Sequence, residues 1–483
     1  MSRPAANITL VFILIAYLAL GTAYALQTPA WQAPDEPAHY NYIQFIVAKH
    51  ALPILQRGEY DQAYLAEFTR TPQNVASLSI DPLRYEDYAP PLYYLLAAPI
   101  FALTEGWIVA IRLFSAVLGG ALVVAAYLIG AELYPEQLPL ALGGAAFVAF
   151  VPQHLAVMTA VNNDSLSELL IALVALQSMR LFRTPTISRR KLIWLGVTLG
   201  LGLLTKATFY YTAVPIALVA LAMHAFKKPP PQKLSGETGG WRSFVKQALI
   251  VFVPALAIGA VWWIRNLIVY GGLDVMGLAR HNAVVVGQPT TAQWLNDYGA
   301  GGLLQRFFTT TYRSFWGQFG WMSTPMPDRE YLILGLLSSV ALIGWIGWLI
   351  EGRKVAPSGS PLQGNKHGRS GRRNFVSPQA TILILLFVLT LGGYLYYNLT
   401  FVQHQGRYLF PALIPIGLVF AIGWWQVLDK IKGLVTRLLS RATRDWTPWL
   451  DQAQLIIFAL IFIYLARLDL VALQRYIIPN LSA

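Results

Sequence analysis

The chain has 483 residues, 56% apolar and only 12% charged, with a formal net charge of +13. Soluble globular proteins carry about a quarter charged residues, so the composition excludes a large water-soluble enzyme and defines an all-α protein that crosses a membrane many times. There is no cysteine, which rules out a disulfide framework, thiolate zinc sites and cysteine nucleophiles.

The first apolar run, "ITLVFILIAYLALGTAYAL", ends in a small-residue pattern resembling a signal-peptide cleavage site. Its apolar core is long for such a peptide and its only basic flank is Arg3, so it is read as a retained span over 7–27. Further spans are expected at about 108–131, 138–158, 166–183, 191–205, 208–226, 244–267, 330–350, 379–399, 408–428 and 453–471. Lys206 interrupts the long apolar stretch around "LTKATFYY". Together these make 11 spans, an odd number, with a cytoplasmic N-terminus and a C-terminus outside. The basic clusters "RLFRTPTISRRK", "FKKPPPQK", "GRKVAPSGSPLQGNKHGRSGRR" and "DKIKGLVTRLLSRATR" fall in alternate loops. That is the positive-inside pattern of a multi-pass protein of the cytoplasmic (inner) membrane, and it argues against nucleic acid as a partner.

Two long segments then lie outside. The first, 28–107, holds nine acids against four bases, so it differs in kind from the basic loops. Within it "EPAHYNYIQFIVAKHAL" carries a helical apolar stripe, with Asp35 placed to cap the helix start. "APPLYYLLAAPIFAL" is apolar but broken by Pro90, Pro91 and Pro99. Both are expected to lie along the membrane surface. The second outer segment is 268–329, expected as a large loop. Residues 351–378, rich in Gly, Ser and Arg, read as a flexible cytoplasmic linker. No internal repeat is visible.

Ionisable residues collect at one depth. Asp35 and His39 in "PDEPAHY" are one helical turn apart and share a face. Glu36 adjoins them, Tyr42 follows, and Asp87 stands before the Pro-Pro pair. Asp164 in "AVNNDSL", Lys206 in "LLTKAT", Arg265 in "WWIRNLIVYGG", and His404, Arg407 and Tyr408 in "VQHQGRYLFPALIP" all come at the outer ends of spans. Charge is costly in lipid, so each must face protein or water. Cations there can grip a lipid phosphate and stabilise charge on a phosphate leaving group, while a carboxylate takes a proton from an acceptor. Taken singly, each residue has a plainer reading: Asp35 as a helix cap, His39 as an interface residue, Lys206 as a snorkelling side chain.

In order, "PDEPAHY", "YAPPLYYLL", "IRLFSAVLGGALVVAAYLIGAELY", "NNDS" and "GLLTKA" resemble the C-type membrane glycosyltransferases, among them the protein O-mannosyltransferases and the bacterial lipid A aminoarabinose transferases. The form "PDEPAHY" is closer to an uncharacterised bacterial multi-pass family of the same superfamily. The likeness covers about the first 210 residues and, weakly, "QGRYLFPALIP". It implies the C-type glycosyltransferase fold and sugar transfer from a polyprenyl-phosphate donor to a lipid, glycan or protein acceptor at the outer face. Asp35 would be the catalytic carboxylate, Glu36 its neighbour and Asp164 a second acid. Lys206, Arg407 and Tyr408, with Arg265, would face the carrier phosphate, and His39, Tyr42, Asp87 and His404 would line the site. No cofactor is required on this reading, with Mg²⁺ or Mn²⁺ on Asp35, Glu36 and Asp164 left open. Ala89 stands where the aminoarabinose transferases tend to carry a charge, and no large C-terminal soluble domain is expected from the sequence. Two other readings are a transporter or flippase of a lipid-linked substrate, which favours charge near the midplane and inverted repeats, and a non-enzymatic subunit of a larger complex.

Overall fold

The computed structural model describes residues 1–184, 187–226, 240–351, 377–439 and 446–482. The helices in chain order are α1 (Arg3–Gln27), α2 (Glu36–Lys49), α3 (Gln62–Phe68), α4 (Pro72–Ser77), α5 (Leu92–Leu103), α6 (Ile108–Leu133), α7 (Leu138–Phe150), α8 (Pro152–Met158), α9 (Asp164–Arg180), α10 (Arg189–Leu203), α11 (Thr208–Ala225), α12 (Trp241–Tyr270), α13 (Leu278–Val284), α14 (Thr291–Trp316), α15 (Asp328–Ile350), α16 (Pro378–Asn398), α17 (Leu413–Leu439), α18 (Thr447–Val471) and α19 (Ile478–Leu481). The only strands among the described residues are β1 (Gln318–Phe319) and β2 (Thr324–Pro325), a two-stranded antiparallel hairpin.

Local chemistry starts many of these helices. Ser2, Ser188 and Ser377 accept hydrogen bonds from the first-turn amides of α1, α10 and α16. Proline opens α8 and bends it 66° from α7, so residues 138–158 form one broken crossing. Small residues allow the closest helix contacts. A Cβ on Gly423 would lie 1.8 Å from the Ala341 carbonyl oxygen, so α17 and α15 meet backbone to backbone. Gly130 likewise lets α6 approach Ala141 of α7, whose Cα a Cβ there would meet at 2.7 Å. The interior is built from α6, α7, α9 and α17. Leu256, Val261 and Ile264 of α12 and Leu332, Leu336 and Ile343 of α15 face outward, the surface a lipid chain would cover.

Nine helices among the described residues are long and apolar enough to cross a membrane, and the α7–α8 pair brings the total to ten. The eleventh expected span, 191–205, is α10, with 15 residues. At 1.5 Å per residue it is roughly 22 Å long, short of a hydrocarbon core of about 30 Å. It still returns the chain to the end from which α9 starts: Lys206, just beyond α10, meets Asp164 at the head of α9 at 2.5 Å, and Leu92 N–H donates to the Leu204 carbonyl at 2.8 Å.

The bundle therefore has two ends. At one gather 28–107, the turns at 159–163 and 204–207, 271–327, 399–412 and the last described residues, where Gln32 donates to the Leu481 carbonyl at 3.1 Å. At the other lie the α6–α7 turn and the described basic residues of the loops, with Arg183 bound to Glu132 at 2.5 Å and Lys432 to Asp451 at 3.0 Å. Most of the expected linker, 352–376, lies outside the described residues. Segment 268–329 is more ordered than its sequence announces. It contains the 26-residue α14, started by a Thr290–Gln293 capping box and kinked at Gly299 (φ 67°) within "GAGG". Those glycines mask the helical pattern.

This arrangement predicts opposite labelling of two single cysteines in the cysteine-free chain. In sealed vesicles of one orientation, a membrane-impermeant maleimide should modify Ser77→Cys or Glu136→Cys, and the other only after permeabilisation. Labelling of both from one side would contradict the crossing pattern.

Candidate active site

Glu36 is fully buried, and its carboxylate takes a two-pronged grip from Arg112 of α6, Nε to Oε1 at 2.8 Å and Nη2 to Oε2 at 2.6 Å. It also accepts from the Trp31 and Val161 amides at 3.2 and 3.1 Å. The rest of the Arg112 guanidinium donates to the carbonyls of Ala25, Thr28 and Pro29. Every one of these groups is satisfied away from solvent, so Glu36, expected beside Asp35 as a catalytic acid, instead anchors the chain on either side of it. Arg112 is the one cation of a 26-residue apolar helix and lies far along it from Glu132, a signal that burial requires a partner.

The anchor turns the next residue into the open. Asp35 adopts φ +67°, a left-handed conformation that Asp tolerates better than most residues. It occupies the cap position of α2 but makes no capping bond, contrary to the expectation from sequence. Its carboxylate accepts from Arg407 Nη2 at 2.6 Å and from the Tyr85 hydroxyl at 2.9 Å. Burial pushes its pKa up, but Arg407, His39 and the two hydrogen bonds outweigh that and hold it below the usual carboxylate value.

A second acid–cation pair lies beside the first, within electrostatic reach of Arg407 and His39, and the two together define a cleft: Lys206 Nζ meets Asp164 Oδ1 at 2.5 Å. The four side chains of the two pairs are between 14% and 29% exposed, unlike the fully buried Glu36. The Arg407 guanidinium stands 5.5 Å from the centre of the Tyr408 ring, and its Nε has no protein partner. Sequence reasoning overlooked Glu86 and Tyr85. Glu86 interacts electrostatically with His39, Asp35, Lys206 and Asp164, and burial raises its carboxyl above the ordinary value. Its signal was in plain view, in "RYEDYAPP".

His39 lies beneath the cleft. It is 4% exposed and its Nδ1 shares a 2.8 Å hydrogen bond with the Tyr94 hydroxyl, which also receives Asn163 Nδ2 at 3.3 Å. Burial lowers its pKa, which favours the neutral imidazole at neutral pH. Tyr42 is buried against Tyr94, ring centres 3.8 Å apart. Its hydroxyl donates to the Ala89 carbonyl, so it supports the floor without lining the cleft.

Three other expected site residues stand apart. Asp87 is fully buried against Arg84 at 2.8 Å, and burial pushes its carboxyl up to about 7 despite that partner. Arg265 donates to the Pro53 carbonyl and to Asn266, and stacks over Trp262. His404 sits edge-on between Trp294 and Phe307, and burial lowers its pKa. Among the described residues no group of three His, Asp or Glu is arranged to hold a metal ion. Of the three acids left open for Mg²⁺ or Mn²⁺, Glu36 is saturated by Arg112 and backbone amides, and Asp35 and Asp164 each carry a resident cation.

The fold is that of the C-type glycosyltransferases. It is similar to the oligosaccharyltransferase of Archaeoglobus fulgidus tethered with an acceptor peptide, with a TM-score of 0.52, 13% identity, and 99% of this chain and 56% of that one covered. The apo form of that enzyme gives 0.50 and 14%, over 97% and 56%. The chain thus spans little more than half the length of that relative. ArnT from Cupriavidus metallidurans, bound to undecaprenyl phosphate, aligns with a TM-score of 0.48 at 11% identity, over 100% of this chain and 74% of its own. Residues 61–416 match the family described as predicted membrane protein (DUF2142), and the chain belongs to that family. No curated protein matches it in sequence.

Breaking a buried ion pair by removing one partner typically costs about 3–5 kcal/mol. Arg112→Met should therefore lower the melting temperature in detergent well beyond Arg70→Met, which removes an exposed pair with Glu67. Equal melting of the two variants would show that the Glu36 anchor contributes little.

Proposed function

We propose that the protein is a glycosyltransferase that moves a sugar from a polyprenyl-phosphate-linked donor to an acceptor at the outer face of the cytoplasmic membrane. The observation that carries this reading is the pair of partly exposed acid–cation contacts, Asp35–Arg407 and Asp164–Lys206, brought within electrostatic reach of each other from four distant segments. In support, the described basic residues of the loops, Arg183 and Lys432 among them, gather at the other end of the bundle, the pattern of a cytoplasmic side. The oligosaccharyltransferase that shares the fold was determined with an acceptor peptide tethered to it.

The chemistry is a displacement at the anomeric carbon. Asp35 accepts the proton of the acceptor hydroxyl or amine as that atom bonds to the sugar. The bond from the anomeric carbon to the phosphate oxygen breaks, and its electron pair leaves on the carrier phosphate. Arg407, through Nε and its remaining N–H groups, and Lys206, through donors not used by Asp164, bind that phosphate while keeping their carboxylates. Tyr85 fixes the Asp35 carboxylate. Asp164 orients Lys206, and His39 and Tyr94 hold the floor. No step is routed through a metal.

Asp35→Asn removes the proton acceptor yet suits the left-handed backbone, so folding should survive. With purified protein in nanodiscs and synthetic polyprenyl-phosphate sugars, transfer should fall by about 10²–10⁴ at unchanged melting temperature, while Glu67→Gln stays near wild type. Near-normal transfer by Asp35→Asn would refute the role of Asp35.

The pH profile separates the two acids of the cleft. A base with a lowered pKa stays ionised until the medium is strongly acid, so with Asp35 the rate should hold through mildly acidic pH and fall only below the ordinary carboxylate range. Were Glu86 the base, the fall would come above that range. Arg407→Ala removes the main group lowering Asp35 and should shift the acid limb upward as well as weakening donor binding. An unmoved limb would count against the pairing as the source of the lowered pKa.

A further inference from the structure

A second cationic site lies at the same end of the bundle, outside the cleft. The groove that follows α12 is lined by Arg57, Tyr270, Gly271, Gly272, Asp274 and Arg280. Neither Arg57 nor Arg280 forms an ion pair with any described residue. The Arg280 guanidinium stands 5.5 Å from the centre of the Tyr270 ring, and Arg265 approaches the same ring at 5.4 Å. The one acid of the lining, Asp274, has its two oxygens engaged by the Ala279 and Arg280 amides at 3.1 and 2.7 Å, closing the start of α13. Gly271 and Gly272 both have positive φ, and a Cβ on either would meet nothing within 4 Å, so this part of the groove is open.

Its position sets the ligand. The groove begins where α12 ends, and α12 is a candidate span whose apolar side chains face outward. Ile268 is 78% exposed before the groove and Leu273 91% exposed within it. Free guanidinium groups beside apolar side chains at the mouth of a span match an amphiphile with an anionic head and hydrocarbon tails.

We propose that this groove binds the phosphate head of an anionic phospholipid from the leaflet on the site side, with Arg57 and Arg280 on the phosphate and the acyl chains along Ile268 and Leu273. The same short helix carries His281, whose ring lies 4.3 Å from Tyr88, next to Glu86. The lipid therefore braces the segment that walls the cleft. The inference rests on the membrane placement and not on the transfer reaction.

Native mass spectrometry of the full chain, released from detergent mixed with phosphatidylglycerol and phosphatidylcholine, tests it. The wild type should retain one phosphatidylglycerol in preference to phosphatidylcholine. Arg57→Gln combined with Arg280→Gln should weaken that retention about tenfold or more, as expected for two lost phosphate contacts. Arg306→Gln, which removes an arginine stacked on Tyr298, should leave it unchanged. Undiminished retention by the double variant, or an equal loss in Arg306→Gln, would overturn the site. Displacement of the lipid by inorganic phosphate at modest concentration would show a soluble-anion site and overturn the assignment to lipid. Because the readout is binding, its failure leaves the Asp35 experiment standing, and the reverse holds.

Discussion

Everything at the functional end of the bundle depends on one buried contact, the carboxylate of Glu36 held in the fork of Arg112. A charge pair removed from water is costly, and it persists only when further hydrogen bonds complete it. Here they come from the backbone: amides at Trp31 and Val161, and carbonyls at Ala25, Thr28 and Pro29. The pair therefore ties the end of α1, the start of α2, the middle of the bundle through α6 and the turn before α9 to one point. Asp35 is the neighbouring residue, and its unusual backbone angle is the geometric result: the chain must reverse its side-chain direction between a carboxylate facing inward and one facing the cleft.

The adjacent acids thus divide their labour by environment. Glu36 is saturated and dry. Asp35 is partly wet, with one oxygen on Tyr85 and the other on Arg407. A similar contrast separates Asp87, shut away with Arg84, from Glu86, whose neighbours are the charged groups of the cleft. In both the Asp-Glu and the Glu-Asp pair the backbone directs the first member toward the site and the next inward.

Much of this was legible in the sequence, and the failures share a physical cause. Apolar runs fix where helices cross, so α1, α6, α9 and α12 lie close to where the hydropathy puts them. The ends of those runs fix the depth of a charged residue, which is why Asp35, Asp164, Lys206 and Arg407 could be grouped although they come from widely separated parts of the chain. Depth says nothing about azimuth around the bundle. Arg265, His404 and Asp87 come at the same end and point elsewhere, into Trp262, into Phe307 and Trp294, and onto Arg84. Nor does composition reveal which of two adjacent acids is satisfied by a lone arginine 76 positions away. The helix α14 was hidden for a local reason, glycines at its kink that break the periodicity its capping box announces.

The pairing of each cleft acid with its own cation bears on turnover. Before substrate arrives, the charges of Asp35, Asp164, Arg407 and Lys206 cancel. A sugar joined to a polyprenyl phosphate is a diester with a single negative charge, whereas the carrier left behind is a monoester that carries nearly two at neutral pH. On the proposed reaction, the cations that ease departure of the phosphate would thus hold the spent carrier more tightly than the donor. On that reaction, such a cleft is open to inhibition by its own product, which puts release of the bare carrier among the steps that set the pace of a cycle.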